Sequence, residues 1–164
     1  MAVSSPLPDK TETPQPTSVL FLCNHNIIRS PMAEALTRSR FGNRIYCASA
    51  GVRMGEQDAF VGAVMEEMGI DIKKREPVAF DNLDDTWFDL IVTLSPTAHH
   101  LALEMEHVEA NEVEYWPSAD PTVVQGSREQ RLEAYRDVRD RLLERIIDRF
   151  SSSSNLTGYG AVNG

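Results

Sequence analysis

The chain has 164 residues, 41% of them hydrophobic, which is enough for one domain with a substantial core. Its formal net charge of -9 comes from acidic residues spread along the sequence, so its surface should repel nucleic acid. No stretch approaches the roughly twenty apolar residues of a membrane span, and the first residues lack the apolar segment of a signal peptide. We therefore expect a cytoplasmic protein without a nucleic-acid or membrane partner, and its oligomeric state stays open.

Short apolar runs alternate with helical patterns between two polar ends. Residues 1–17 carry four prolines and residues 151–164 are rich in serine and glycine, so we expect disordered tails around a domain at 18–150. Strands are predicted at 19–22, 45–48, 90–94 and 113–116, and helices at 30–40, 59–68, 96–105 and 127–150. The apolar runs are continuous, as in parallel strands covered on both faces. This order predicts a βαβ architecture.

The first predicted strand runs directly into the segment CNHNIIRS at 23–30, which is followed by Pro31 and by helix-forming residues. Proline is favoured at the first position of a helix, so Pro31 predicts where the helix begins. At a helix N-terminus, unpaired amides and the helix dipole converge and can hold a tetrahedral dianion. The sequence therefore predicts a phosphate-binding loop that contains Asn24, His25, Asn26, Ile27 and Ile28.

Three side chains around this loop can carry chemistry. A thiol beside a helix N-terminus and an arginine ionises readily, which would make Cys23 a nucleophile. Arg29 follows Cys23 after five intervening residues, and its planar guanidinium can hold two phosphoryl oxygens at once. Ser30 can donate a hydrogen bond to the thiolate, or it can serve as the helix N-cap. In the structural alternative, Cys23 is a buried thiol and Arg29 forms a surface ion pair.

The stretch VLFLCNHNIIRSPMAEAL resembles the signature of the low-molecular-weight protein tyrosine phosphatase family, which shares its fold with the thioredoxin-coupled arsenate reductases. The resemblance continues in YCASAG, EEMGIDI, FDLIVTL and WPSADPTVVQG. It implies an α/β fold of one domain, a three-layer sandwich with a four-stranded parallel sheet, helices on both faces and the phosphate loop after the first strand. It implies catalysis without a metal or cofactor.

The resemblance also implies roles for residues outside the loop. Asp120, before Pro121, matches the family's general acid, which protonates the leaving oxygen and then activates water. Asn26 matches a left-handed asparagine that braces the loop, with Ser49 as its expected partner, although Ser49 could also be a simple turn residue. His25 stands where the family usually has glycine. We expect His25 at the rim of the pocket, unless it takes a strained left-handed conformation.

The function predicted from these residues is a phosphatase that hydrolyses phosphomonoesters through a cysteinyl-phosphate intermediate. Its expected substrates are phosphotyrosine in proteins or small aryl phosphates, and inorganic phosphate is expected as product and ligand. The stretches where tyrosine-specific members have aromatic walls read Val52-Arg53-Met54 and Thr122-Val123 here. The absence of these walls weakens the prediction of tyrosine specificity more than that of phosphatase chemistry.

Two alternatives remain from the sequence. The arsenate reductases use two further cysteines to pass oxidising equivalents outward, whereas this chain has Ser95 after VTL and only Cys47 besides Cys23. Because Cys47 lies in a predicted strand, we expect it to be a small buried hydrophobe, which would leave a mechanism that uses an external thiol. The second alternative is a non-catalytic module that binds phosphate or a phosphoprotein. It would need neither a thiolate nor an acid.

Overall fold

The computed structural model describes residues 14–73, 75–105 and 108–151, so the predicted tails lie almost entirely outside the described residues. The strands are β1 (Ser18–Cys23), β2 (Tyr46–Gly51), β3 (Trp87–Thr93) and β4 (Glu109–Tyr115). The helices are α1 (Arg29–Phe41), α2 (Ala59–Glu66), α3 (Pro96–Glu104) and α4 (Arg128–Phe150), with short 3₁₀ turns at Phe80–Asn82 and Pro121–Val123.

The four strands form one parallel sheet in the order β2-β1-β3-β4. Strand β1 is central and pairs with both β2 and β3, so the segment that follows it leaves from the middle of the sheet. In an open parallel sheet, ligands bind beyond the carboxyl ends of the strands. The predicted α/β fold, with four parallel strands and the loop after the first of them, is confirmed.

Side chains of the central strand alternate between two cores. Val19 and Phe21 pack with α1, α2 and α4 on one face, while Leu20 and Leu22 pack with α3 on the other. All four side chains are fully buried, and burial of one such side chain contributes about 2 kcal/mol. Helices therefore cover both faces, which explains why the strand sequences are continuously apolar.

Several predicted boundaries differ from the structure. Strand β3 begins at Trp87 instead of residue 90, because Asp89 interrupts the apolar run on which the prediction rested. Strand β2 continues to residue 51 instead of 48, and α2 ends at residue 66 instead of 68.

The start of α1 differs as well. Helix α1 begins at Arg29, two residues before Pro31, and its N-cap is Ile28, which has no side-chain capping bond. The prediction that Pro31 is the first helical residue is therefore wrong, and so is an N-cap role for Ser30. Proline is still tolerated there, because the amides of the first turn have no intrahelical partner.

Strand β4 begins four residues earlier than predicted, at Glu109 instead of residue 113. It lies at the edge of the sheet and its sequence EANEVEY is mostly polar, so a search for continuous apolar runs misses its first half. Helix α4 agrees closely with the pattern, because Ser127 and Gln130 form a capping box that fixes its start.

Candidate active site

Cys23 is the last residue of β1, and its sulfur lies under the first turn of α1. The Sγ atom is 2.9 Å from Ser30 Oγ and accepts a hydrogen bond from the Ser30 amide at 3.4 Å. Asn26 Nδ2 donates to Ser30 Oγ at 2.8 Å, so the hydroxyl hydrogen of Ser30 is free to point towards the sulfur or towards the carbonyl of Ala50, 3.4 Å away. Two donors can thus stabilise a thiolate at Cys23.

Asn26 reverses the direction of the loop through its left-handed backbone conformation. Its φ of 57° is the only positive value for a non-glycine residue in the described ranges, and its side chain is fully buried. The Oδ1 atom accepts hydrogen bonds from the Val78 amide at 2.7 Å and from the guanidinium of Arg75. The left-handed conformation expected at Asn26 is present, and the buried contacts offset its backbone strain.

Ser49 contacts Asn26 through Arg75 and not directly. Arg75 Nη2 donates to Ser49 Oγ at 2.6 Å, and Nη1 donates to the Asn26 carbonyl at 3.3 Å. Ser49 Oγ in turn donates to Glu34. The expected direct hydrogen bond between Asn26 and Ser49 is therefore replaced, among the described residues, by a guanidinium bridge.

The loop lies against a glycine at the end of β2. A Cβ atom at Gly51 would approach the Asn26 nitrogen and the His25 carbonyl carbon to 2.6 Å, which is too close for any side chain. His25 itself is exposed and does not have a positive φ, so the strain considered for it is absent. Its exposed position agrees with the expected place at the rim.

Arg29 is nearly buried at the start of α1. Its Nη1 atom donates to the Ser118 carbonyl at 2.8 Å and to the Leu94 carbonyl at 3.5 Å. These carbonyls belong to the residue that follows β3 and to the loop that carries Asp120, so Arg29 connects the phosphate loop with both segments. The remaining guanidinium donors are available for phosphoryl oxygens.

Asp120 caps the 3₁₀ turn Pro121–Val123. Its Oδ1 atom accepts hydrogen bonds from the Thr122 amide at 3.0 Å and from Thr122 Oγ1 at 2.7 Å. Partial burial raises the pKa of Asp120, but the bonds from Thr122 and the charges of Arg29 and His25 outweigh it, so the net pKa lies below the usual value. The resting carboxyl is therefore ionised near neutral pH.

Cys23, Arg29 and Asp120 line one cavity of about 210 Å³. The other described residues around it are Asn24, His25, Ile27, Ile28, Glu56, Gln57, Asp58 and Thr122. No phenylalanine, tyrosine or tryptophan of the described ranges lines the cavity, in agreement with the sequence at the expected wall positions. The arrangement brings a thiol, a guanidinium and a carboxyl group together in one small volume.

The second cysteine is remote from this cavity. In the β1–β2 register Cys47 pairs with Val19, whereas Cys23 pairs with Gly51, four residues further along. At about 3.3 Å per residue this separates the two cysteines by about 13 Å, and a disulfide needs Cα atoms within about 7 Å. Burial raises the pKa of Cys47 to about 11, so its thiol stays protonated at neutral pH, as expected of a buried hydrophobe.

Ser95 lies beside the loop and has two structural roles. It caps α3 by accepting a hydrogen bond from the Ala98 amide at 3.2 Å, and its hydroxyl donates to Asn24 Oδ1 at 2.7 Å. The side chain that follows VTL thus braces Asn24 and carries no thiol. No cluster of three or more metal-ligating side chains occurs within residues 14–73, 75–105 and 108–151.

The sequence alone did not reveal the support beneath the loop. Three residues from separate segments support Asn26 and Ser49 by hydrogen bonds or close packing: Glu34, Gly51 and Arg75. Arg75 lies in a polar stretch without periodicity, so no local pattern signalled its contact with Asn26.

A cysteine at the end of a strand, below the first turn of a helix, is an arrangement that favours a thiolate and can bind an anion, as in cysteine-based enzymes. The family model described as low molecular weight phosphotyrosine protein phosphatase matches residues 18–154. The chain belongs to this family, whose members include cysteine-based phosphatases and arsenate reductases.

Individual proteins from both groups are similar to the chain. A glutaredoxin arsenate reductase of Synechocystis is 32% identical over 78% of this chain and 92% of that protein. A solved arsenate reductase in its phosphate-binding state matches with a TM-score of 0.68 at 29% identity, covering 82% of this chain and 97% of that chain. A low molecular weight protein tyrosine phosphatase from T. tengcongensis shares the fold, with a TM-score of 0.62 at 22% identity over 81% of this chain and 96% of that chain.

No described helix has both the length and the apolar character needed to cross a membrane.

Proposed function

We propose that the protein is a metal-independent phosphatase that hydrolyses phosphomonoesters through a cysteinyl-phosphate intermediate. The observation that carries this proposal is the cavity lined jointly by Cys23, Arg29 and Asp120, with no second thiol in reach of the first. Nucleophile, anion clamp and acid are the three groups that phosphoryl transfer to a thiolate requires.

The steps follow from the positions of these groups. The Cys23 thiolate attacks phosphorus while Arg29 and the loop amides bind the equatorial oxygens, and Asp120 protonates the leaving oxygen as the P–O bond breaks. Asp120 then removes a proton from water, which attacks the phosphocysteine. The S–P bond breaks, inorganic phosphate is released, and Ser30 stabilises the thiolate as it leaves.

Aryl phosphates, including phosphotyrosine in proteins, are the proposed substrate class. Cys23 is only 2% exposed and lines a cavity of about 210 Å³. A phosphotyrosine side chain is long enough to carry its phosphoryl group to such a depth, whereas the shorter phosphoserine brings the peptide backbone against the rim. Matched phosphotyrosine and phosphoserine peptides therefore test the specificity.

An arsenate reductase that uses an external thiol is the second candidate, favoured by the identity with the Synechocystis protein. In that reaction the Cys23 thiolate attacks arsenate, and one As–O bond breaks with release of water. A small thiol then attacks the Cys23 sulfur, releasing arsenite as the As–S electron pair moves to arsenic. A second thiol then resolves the mixed disulfide. The chain would supply one thiol, and the external pool would supply the other two.

The deciding experiment measures hydrolysis of an aryl phosphate without added metal and, in parallel, reduction of arsenate with glutathione and glutaredoxin. The phosphatase proposal expects hydrolysis that is abolished in Cys23→Ser and strongly slowed in Asp120→Ala. Arsenate reduction without hydrolysis would establish the second candidate. Phosphate binding with neither reaction would instead indicate a non-catalytic sensor.

A further inference from the structure

A guanidinium that is not part of the substrate cavity lining contacts the phosphate loop at Asn26. Arg75 bonds to the carbonyl and the side chain of Asn26 and to Ser49, and its Nε atom is 3.5 Å from Glu34 Oε1. Its side chain is 21% exposed. It does not line the cavity that contains Cys23, and it lies instead in a neighbouring cavity that shares Ile27, Gln57 and Asp58 with it.

The charge of Arg75 is only partly neutralised. Glu34 is shared, because Arg38 Nη2 also contacts its Oε2 atom at 2.6 Å. Two guanidinium groups and one carboxylate leave one positive charge in this cluster. Burial lowers the pKa of Arg75, although Glu34 and Cys23 attract its charge, and an arginine does not lose its proton in a protein at working pH.

We propose that Arg75 is a positioning residue that locks the left-handed turn at Asn26 and whose permanent charge stabilises the Cys23 thiolate. The inference deepens the proposed function but concerns the thiolate itself, which reacts with alkylating agents whether or not the protein turns over a phosphate ester. Cys23 reactivity should therefore depend on Arg75 through both geometry and charge.

Other charged groups also face Cys23 and must be separated from Arg75. Around the cavity these are His25, Arg29, Glu56, Asp58 and Asp120. The measurements are made in a His25→Gln background as well as in the natural chain, so that a charge on the imidazole is not mistaken for the effect of Arg75.

The test is the pH profile of Cys23 alkylation by iodoacetamide, followed by intact mass. In Arg75→Met the rate at pH 6 is expected to fall about tenfold and the profile to move to higher pH. Arg75→Lys keeps the charge but not the planar fork, so its profile should stay near that of the natural chain while protection by inorganic phosphate weakens.

Lys73→Met is the matched control. Lys73 is a cation two residues earlier, but it pairs with Glu66 at 2.8 Å, is 62% exposed and does not contact the loop. Its removal should leave the alkylation profile unchanged. A folded Arg75→Met with the natural profile would overturn the proposal, and an Arg75→Lys that matches Arg75→Met would overturn the part played by charge. Absence of phosphatase activity in the natural chain would refute the proposed function without affecting this result.

Discussion

At the residue scale, the ionisation of Asp120 controls the first half of the proposed reaction. Its pKa lies below the usual value, so the protonated fraction that can act as an acid falls as pH rises above that pKa. A bound phosphate dianion places negative charge near Asp120, which raises the pKa of its carboxyl and so increases the protonated fraction. We therefore expect kcat for phenyl phosphate to increase as the pH is lowered from 8 to 5.

Asp120→Asn should remove this dependence, and the size of its defect should depend on the leaving group. Nitrophenolate leaves with little help from an acid, whereas phenolate needs a proton, so the loss in kcat should be at least about tenfold larger for phenyl phosphate than for 4-nitrophenyl phosphate. Glu56→Gln removes a carboxyl from the same cavity and serves as the control. An equal loss for both esters would exclude Asp120 as the acid.

At the element scale, the register of β1 with β2 determines what oxidation can do. It keeps Cys47 about 13 Å from Cys23, so the sulfenic acid formed at Cys23 cannot be captured as an internal disulfide. After one equivalent of peroxide we expect a mass increase of one oxygen on Cys23, full recovery with added thiol, and no loss of two hydrogens. Cys47→Ala, measured alongside, should behave identically. An internal disulfide would contradict the register.

At the scale of the whole molecule, ligand binding should stabilise the fold, because the site is assembled from three distant segments. Arg29 bonds to carbonyls after β3 and in the Asp120 loop, and the unfolded chain cannot reproduce this arrangement. Inorganic phosphate at ten times its dissociation constant should therefore add about 1.4 kcal/mol and raise Tm by a few degrees.

Arg29→Met should abolish this rise in Tm, and calorimetry with and without phosphate measures it. Arg141→Met, which removes an exposed arginine of α4, should retain the full phosphate effect. If Arg29→Met is stabilised by phosphate as strongly as the natural chain, Arg29 is not the clamp.

The sequence predicted the sheet and the loop because their signals are local. A buried strand, a cysteine and a helix start follow one another within fifteen residues, and the apolar pattern fixes which faces are covered. The contacts of Arg75 and Gly51 form between segments that are distant in sequence, and the hydrophobic periodicity of a segment does not predict such contacts. The start of β4 was missed because an edge strand has one exposed side and needs no continuous apolar run.

The left-handed turn at Asn26 restricts which residues can replace this asparagine. Glycine could adopt its φ of 57° but would leave the Val78 amide and the Arg75 guanidinium without their acceptor. Aspartate could accept both bonds but would lose the donor that holds Ser30 Oγ. Both of these replacements keep the left-handed turn but lose at least one hydrogen-bond partner, so neither is equivalent to Asn26.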